Sequence, residues 1–272
     1  MSDIKASSVT IDNPSTTDDN AEDKKSFFSS WTFIILVCIV LPIAFRSMLF
    51  APFHIPSGSM KPTMLIGDFL FVSKYSYGYS KYSFPFALAP IDNRTSGDTP
   101  TQGEIIVFRP PPQDKTDYIK RLVGMPGDTV QMKNSRLYLN DTIVPRRRVD
   151  DFVEIQPNGK VKRIPRYIET LPNGLSHYTL DEKTDGDLDN TPKFTVPEGS
   201  FFFLGDNRDN SADSRTDLVG FVPQKYLIGR AEVLFLSATD NIWKIWEWPG
   251  IFRSDRIFTS VDQWGKVTDA PK

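Results

Sequence analysis

The chain has 272 residues, of which 39% are hydrophobic and 24% are charged, so it is long enough to bury at least one sizeable core. Its 32 Lys and Arg residues nearly balance 34 Asp and Glu residues, and the net charge of -2 provides no general attraction to nucleic acid or to an anionic membrane surface. One cysteine and two histidines exclude an intrachain disulfide framework, a thiolate zinc cluster and a His-rich metal site. We therefore expect no cofactor, no metal ion and no nucleic-acid partner.

The first predicted element is an apolar segment near the N-terminus. Residues 26–46 contain an uncharged run of twenty residues, and a helix of that length spans roughly the 30 Å hydrocarbon layer of a bilayer. We predict a single transmembrane helix there, preceded by a disordered, acidic cytoplasmic tail at 1–25. A cleaved secretory signal is the alternative, but no small-x-small cleavage site follows the apolar run. Lys24 and Lys25 favour a cytoplasmic N-terminus, although Arg46 at the other end weakens that preference.

Downstream of the apolar segment, the sequence is typical of short strands. Runs of β-branched and aromatic residues are bounded by Gly, Pro or Asp, and no sustained helical period follows residue 50. We predict a mainly antiparallel β domain with coil-rich connections. Its clearest strands are expected at 69–72, 105–108, 118–123, 201–204 and 231–236.

The composition changes between residues 136 and 196, where basic and acidic side chains alternate. A mixed charge run of this kind is usually a solvated face. We interpret 136–196 as a solvent-exposed β-ribbon subdomain inserted into a discontinuous β domain, which comprises 47–135 and 197–258. Residues 259–272 are expected to form a C-terminal tail. Whether the ribbon docks a partner is left open.

Three polar segments carry the candidate chemistry. The first, 56–64, places two serines around a glycine between prolines, which predicts a tight turn that presents a hydroxyl. The second, 118–128, is a strand closed by a Pro-Gly turn, and Lys120 shares a strand face with Tyr118. The third, 205–215, is small and polar and by itself would be an exposed loop.

Lys120 has two interpretations. It is either an edge-strand lysine whose ammonium reaches water, or a desolvated amine. Lowering a lysine pKa from about 10.4 towards 7 or 8 costs roughly 3 to 4 kcal/mol. Such a neutral amine can take a proton from a serine hydroxyl at working pH, so the second interpretation predicts nucleophilic catalysis.

Taken together, the three segments resemble the signature motifs of the type I signal peptidases, membrane-anchored Ser/Lys endopeptidases that remove signal peptides from exported preproteins. Further segments resemble that family in the same order, namely 67–68, 103–110 and 247–249. The resemblance covers about 53–128 and 197–256, and it departs from the family at Glu104, where Asp is usual. It implies a signal-peptidase/LexA-like antiparallel β catalytic domain.

The resemblance also implies roles for four residues. Ser59 matches the nucleophile and Lys120 matches the general base of a dyad that needs no histidine. Ser57 matches the serine whose hydroxyl joins a backbone N–H in the oxyanion hole. Ser211 matches the serine that hydrogen-bonds and orients the lysine.

Supporting and substrate-binding residues follow from the same resemblance. Asp213 matches an aspartate that braces the third segment, and we expect it to pair with Arg215, while Asp206 is expected to pair with Arg121. The shallow pockets that accept small side chains at positions -1 and -3 of a signal peptide are expected to be lined by Phe53, Ile55, Tyr118 and Ile119.

The implied location is the bacterial inner membrane, with one pass and a catalytic domain on the periplasmic side. The implied partners are signal peptides and the lipid bilayer, and the protein translocase is left open. A LexA-like autoprotease would lack the anchor and carry a DNA-binding domain. An inactive, membrane-tethered β domain that binds exported proteins is the other alternative, and a Ser59–Lys120 separation beyond about 5 Å would favour it. His54, five residues before Ser59, has no evident Asp partner for a Ser-His mechanism.

Overall fold

The structure is a computed structural model that describes residues 31–84, 91, 94–95, 97–111, 116–156, 159–239 and 248–267. The chain divides into two compact units, Met1–Leu41 and Pro42–Lys272. The predicted tail at 1–25 and the first five residues of the predicted apolar helix lie outside the described residues.

The first described element is helix α1, Trp31–Met48, which contains Pro42. It ends two residues beyond the predicted end of the apolar segment. Most of its described side chains are exposed and apolar, among them Trp31, Ile34, Ile35, Leu36, Ile39 and Leu41. Within the described ranges, no helix meets the combined length and apolarity of a membrane span.

Fifteen strands, two short α-helices and five single-turn 3-10 helices follow α1 among the described residues. The strands are β1 Phe50–His54, β2 Asp68–Ser73, β3 Ile105–Phe108, β4 Tyr118–Gly124, β5 Thr129–Lys133, β6 Arg136–Leu139, β7 Thr142–Ile143, β8 Arg146–Ile155, β9 Val161–Thr170, β10 Ser176–Leu180, β11 Phe194–Thr195, β12 Ser200–Leu204, β13 Val222–Pro223, β14 Leu227–Ser237 and β15 Thr259–Ser260. The α-helices are α2 Trp248–Ile251 and α3 Val261–Gly265. The prediction of a mainly β fold is confirmed, and the five predicted strands lie within β2, β3, β4, β12 and β14.

Eight strands form the main sheet, in the order β1-β2-β14-β3-β4-β12-β13 with β15 added to β14. Every described pair in it is antiparallel. Successive residues of β3 are buried on opposite faces, because Ile105 and Val107 join one apolar cluster while Ile106 and Phe108 join another. A strand covered on both faces reads as a continuous apolar run, which is why β3 and β12 were visible in the sequence.

Two smaller sheets lie between β4 and β12 in the sequence. One has the order β11-β5-β6-β7 and the other the order β10-β9-β8. The inserted ribbon was expected to start at residue 136, but this residue lies inside the β5–β6 hairpin. The hairpin begins at Thr129, seven residues before the expected start. The alternation of charges marked the exposed strand β8, but it did not mark the turn at which the chain leaves the main sheet.

The ribbon is less exposed than its composition predicts. Strand β8 carries mostly exposed and half-exposed side chains, whereas His177 and Thr179 of β10 are fully buried. The backbone N–H of Leu180 donates to the carbonyl of Asp206 at 2.8 Å, and Leu180 forms a parallel bridge with Asn207. The end of β10 therefore packs against the loop that follows β12, which corrects the expectation of a wholly solvated ribbon.

The segment expected as the start of a C-terminal tail is also packed. Thr259 and Ser260 form β15 on the edge of β14, and Val261 is buried in an apolar cluster of the main sheet. Trp264 packs on the same cluster, and its Nε1–H donates to Thr259 Oγ1 at 2.9 Å. The Arg256 guanidinium lies 4.3 Å from the centre of the Trp264 ring. These contacts make residues 259–265 part of the domain.

We predict that Trp264→Ala lowers the free energy of unfolding by about 2 to 3 kcal/mol, because the variant loses the packing of a half-buried indole and its cation–π contact with Arg256. The control Gln263→Ala, at an exposed position of the same helix, is expected to change it by less than about 0.5 kcal/mol. Urea unfolding of both variants measures the difference. Equal midpoints would mean that this segment contributes nothing to the fold.

Candidate active site

The turn between β1 and β2 carries Ser59. This serine is 6% exposed, and its neighbour Ser57 is exposed, with 3.3 Å between the two Oγ atoms. The turn is held from outside by Asn207, whose backbone N–H donates to the Ser59 carbonyl and whose Nδ2 donates to the Gly58 carbonyl, both at 3.0 Å. Two hydrogen bonds from one residue thus fix the peptide groups before and after Ser59.

Lys120 projects from β4 towards this turn. Its Nζ donates to Ser59 Oγ at 2.7 Å and to the Ile119 carbonyl at 2.9 Å. The side chain is only 3% exposed, so its ammonium does not reach water. Burial lowers the pKa of Lys120 from 10.5 to about 8, although the charges of Asp213 and Asp206 oppose part of that shift. Of the two interpretations of this lysine, the geometry matches the desolvated amine.

The loop after β12 completes the surroundings of Lys120. A side chain on Gly205 would place its Cβ 2.1 Å from Ser211 Oγ and 2.7 Å from the Ser59 carbonyl oxygen, so only glycine fits there. The Gly205 N–H donates to Asp213 at 3.0 Å. A glycine in this position therefore lets the loop lie directly against the Ser59 turn.

Two buried ion pairs brace that loop. Arg215 binds Asp213 through Nε at 2.8 Å, and Arg121 binds both oxygens of Asp206 at 2.8 and 2.7 Å. Burial alone would raise the pKa of Asp213, but the charge and hydrogen bonds of Arg215 outweigh it and lower that pKa. The structure thus contains both pairs that the sequence predicts.

Ser211 is placed differently from the expectation. Its hydroxyl is buried beside Gly205, and in the described part of the chain no hydrogen bond joins it to Lys120. The lysine amine is held by Ser59 and by the carbonyl of its own strand neighbour, Ile119. Among the described residues, the predicted orienting bond from Ser211 is therefore not made.

An apolar cleft of about 330 Å³ opens beside Ser59 and Lys120. All four residues predicted to bind substrate line it, together with Val107 and Ala212; the four are Phe53, Ile55, Tyr118 and Ile119. His54 lines the same cleft, but its ring packs 4.9 Å from the Phe69 ring, and within the described ranges it makes no hydrogen bond to Ser59. The geometry gives no support to a Ser-His mechanism.

Sequence reasoning missed Asn207 and a third buried ion pair, between Glu169 and Arg208. Asn207 and Arg208 lie within the third polar segment, so their motif was found but not their individual contacts. Glu169 belongs to β9, where no sequence signal separated it from the surrounding charges. Its partner is distant along the chain, and only the tertiary structure brings the two together.

One group of acidic residues has oxygens close enough for a metal ion. Among the described residues, single oxygens of Asp181, Asp189 and Asp209 lie within 4.8 Å of one another. Arg146 binds Asp181 at 2.6 Å, while the backbone N–H groups of residues 182 and 183 donate to Asp209. These donors stabilise the Asp181 and Asp209 carboxylates without a metal ion, and the expectation of a metal-free protein stays a prediction.

The site combines a serine hydroxyl bonded to a buried lysine amine with an apolar cleft on an antiparallel β domain. These are the functional groups of a serine hydrolase that uses lysine in place of histidine. A family model described as signal peptidase, peptidase S26, matches residues 28–236. The chain belongs to this signal peptidase family, which confirms the resemblance drawn from the three polar segments and the prediction that the chain is a peptidase.

Individual relatives agree with the family assignment. A signal peptidase I of Rickettsia typhi is 37% identical over 265 residues, covering 89% of this chain and 97% of the relative. A signal peptidase I of Rickettsia bellii is 37% identical over 264 residues, covering 90% and 89%. The crystal structure of a signal peptidase I from Enterococcus faecalis V583 is 27% identical and covers 49% of this chain and 97% of that chain, with a TM-score of 0.29. A TM-score of that size adds no argument about the fold.

We predict that Lys120→Met stabilises the fold by about 3 kcal/mol at pH 7. The pKa of this lysine is 10.5 in the unfolded chain and about 8 in the folded chain. Protonation therefore favours the unfolded state by roughly 1.36 kcal/mol per pKa unit of difference. The stability of the unmodified chain therefore rises between pH 8 and 10.5, and the advantage of the variant shrinks to about 1 kcal/mol at pH 10.

Urea unfolding at pH 7 and pH 10 measures this difference. The control Lys225→Met, at an exposed position, is expected to change the free energy of unfolding by less than about 0.5 kcal/mol at both pH values. A Lys120→Met variant that is no more stable than the unmodified chain at pH 7 would show that the amine is not desolvated.

Proposed function

We propose that this protein is a membrane-anchored serine endopeptidase that removes N-terminal signal peptides from exported preproteins by Ser/Lys catalysis. The observation that carries the proposal is the 2.7 Å contact between Ser59 Oγ and the buried Nζ of Lys120. Membership of the signal peptidase family and relatives named signal peptidase I support it.

In the acylation step, the neutral Lys120 amine takes the proton of Ser59 while Oγ attacks the carbonyl carbon of the -1 residue. The protonated lysine then gives its proton to the leaving amine, and the peptide bond breaks. In deacylation, the same amine takes a proton from a water molecule as the water oxygen bonds to the acyl carbon; the bond from that carbon to Ser59 Oγ then breaks, and the lysine returns the proton to Oγ. A pKa of about 8 suits both steps, because the amine is partly neutral near pH 7 yet basic enough to accept a proton.

The oxyanion would be stabilised by the Ser57 hydroxyl and the Ser59 backbone N–H. Ser57 Oγ lies 3.3 Å from Ser59 Oγ, which places the Ser57 hydroxyl beside the point of attack. One well-placed donor contributes roughly 3 kcal/mol to transition-state stability. Asn207 supports this arrangement because its bonds to the Gly58 and Ser59 carbonyls hold the turn that carries both donors.

The substrate would bind as an added strand along β4. In the described part of the chain, β12 pairs with β4 only from Arg121 to Gly124, whereas β3 pairs with it from Tyr118 to Arg121. The edge opposite β3 at Ile119 and Lys120 can therefore accept an extended peptide by backbone pairing. The apolar cleft beside it is the proposed binding site for the side chains at -1 and -3, and the proposed preference for small side chains there rests on its aromatic and aliphatic walls leaving shallow pockets.

Anchoring completes the proposal. The uncharged run within residues 26–46 and the exposed apolar side chains of α1 support a single anchor in the bacterial inner membrane. Signal peptides emerge on the periplasmic side, so the catalytic domain would lie there. The lipid bilayer and signal peptides are its proposed partners, and a translocase partner stays a prediction. The inactive binding module is disfavoured because the Ser59–Lys120 distance is well within 5 Å.

We predict that Ser59→Ala and Lys120→Ala each reduce cleavage by at least about a thousandfold, because each removes one reacting group of the dyad. The substrate is a preprotein with Ala at -1 and -3, incubated with the full chain in detergent.

Replacing Ala at -1 of this preprotein by Phe is expected to abolish cleavage by the unmodified chain, because the proposed pocket for the -1 side chain excludes bulky groups.

His54→Ala tests the Ser-His alternative, since this residue lines the cleft but, among the described residues, makes no hydrogen bond to Ser59. It is expected to retain cleavage within about threefold of the unmodified chain. Undiminished cleavage by Ser59→Ala or Lys120→Ala would overturn the proposed function, and loss of cleavage in His54→Ala alone would favour a Ser-His mechanism.

The pH dependence provides a separate prediction. Because the pKa of Lys120 is about 8, about a tenth of the amine is neutral at pH 7, and kcat/KM should rise about tenfold per pH unit below pH 8 and level above it. The profile is measured with a short peptide substrate between pH 5.5 and 9.5. A plateau that already begins below pH 7 would mean that another group acts as the base.

A further inference from the structure

Three buried arginine–carboxylate pairs surround the loop of residues 205–215. Two of them, Arg121–Asp206 and Arg215–Asp213, lie within the polar segments already described. The third joins Arg208 of the loop to Glu169 of β9, with side chains 2% and 1% exposed. Both terminal nitrogens of Arg208 donate to the Glu169 carboxylate, Nη1 at 3.2 Å and Nη2 at a shorter distance.

The third pair lies next to the residue that holds the Ser59 turn. Arg208 follows Asn207 directly, and its carbonyl accepts a 2.7 Å hydrogen bond from Arg215. On the other side of Asn207, the Asp206 carbonyl accepts the N–H of Leu180. The β9–β10 hairpin therefore holds the loop on both sides of Asn207, once through a side chain and once through backbone.

Glu169 is the carboxylate that neutralises Arg208 by direct contact. Burial alone would lower the pKa of Arg208, but the charge of Glu169 outweighs it and raises that pKa. His177 lies beside the pair, with Nε2 3.6 Å from Glu169 Oε1. Burial and the charges of Arg121 and Arg208 keep the pKa of His177 well below 6.5, so the imidazole adds no positive charge. Removing Glu169 would leave Arg208 buried without a contacting counter-charge.

A buried ion pair is a weak source of net stability, because desolvation offsets most of the attraction between the charges. Its geometry is nevertheless strict, since a two-point guanidinium–carboxylate contact fixes both position and orientation. This pair is therefore better suited to holding the loop in one arrangement than to stabilising the fold.

We propose that Glu169 is a positioning residue for the reaction: its ion pair with Arg208 holds the loop that fixes the Ser59 turn, and this turn carries the hydroxyl bonded to Lys120. The sheet β8–β9–β10 is then part of the catalytic apparatus. This inference rests on the proposed function, because it assigns Glu169 a role in the same Ser/Lys reaction.

The decisive variant removes both charges. Glu169→Leu combined with Arg208→Met leaves no buried unpaired charge, so its urea midpoint is expected to stay close to that of the unmodified chain. We expect its kcat per folded molecule to fall roughly tenfold to a hundredfold, with KM within about threefold, because a loosened turn misplaces the nucleophile. The acid limb of its pH profile should move above pH 8, because a Ser59 turn that is no longer held against Lys120 admits water to the amine.

Two single variants test the same idea. Glu169→Asp keeps the charge with a shorter side chain and is expected to recover kcat to within about fivefold. Glu182→Gln, at an exposed ion pair with Lys162, is the control and should match the unmodified chain in kcat, KM and pH profile. If kcat per folded molecule and the acid limb are unchanged in the double variant, the role of Glu169 is only structural and the inference is wrong.

The proposed function is tested in parallel with Ser59→Ala and Lys120→Ala. Retained cleavage by either of these variants would overturn the proposed function whatever Glu169 does. Loss of cleavage in both, together with a double variant that equals the unmodified chain, would overturn only the inference about Glu169.

Discussion

Exclusion of water from the Lys120 amine is the constraint on which the rest of the structure depends. An amine with its ordinary pKa of 10.5 would be fully protonated near neutral pH, and burial brings that pKa down to about 8. The price is paid in stability, since a buried ammonium opposes folding. The main sheet supplies part of the burial, because β4 is covered on both faces, and the Ser59 turn packs against the amine itself.

Burial alone would not place the amine on a serine. Ser59 lies on a turn between β1 and β2, at the other end of the sheet order from β12, so the loop after β12 must join the two sides. Gly205 permits the close approach, and Asn207 makes the contact with the turn. Three buried arginine–carboxylate pairs then hold the loop without adding net charge near the amine. A neutral set of pairs leaves desolvation as the dominant effect on Lys120.

The parts that could be predicted from the sequence are those set by local pattern. Apolar runs revealed β3 and β12 because each is buried on both faces. The pairs Asp213–Arg215 and Asp206–Arg121 were expected, and both form. The start of the β5–β6 hairpin at Thr129 and the packing of Trp264 were missed, because each depends on contacts with distant residues. The Ser211 bond was expected from resemblance alone, and a hydrogen bond depends on side-chain geometry that resemblance does not contain.

By itself, the sequence determined which chemistry is available. Two histidines, one cysteine and a serine–lysine pair in characteristic segments leave a lysine base as the simplest nucleophilic mechanism. The tertiary structure decided whether that lysine is desolvated, that Asn207 donates the hydrogen bonds holding the Ser59 turn, and that the carboxylate partner of Arg208 comes from β9. The physical reason is range: composition and strand period act between near neighbours, whereas desolvation and buried ion pairs depend on groups that meet only when the chain has folded.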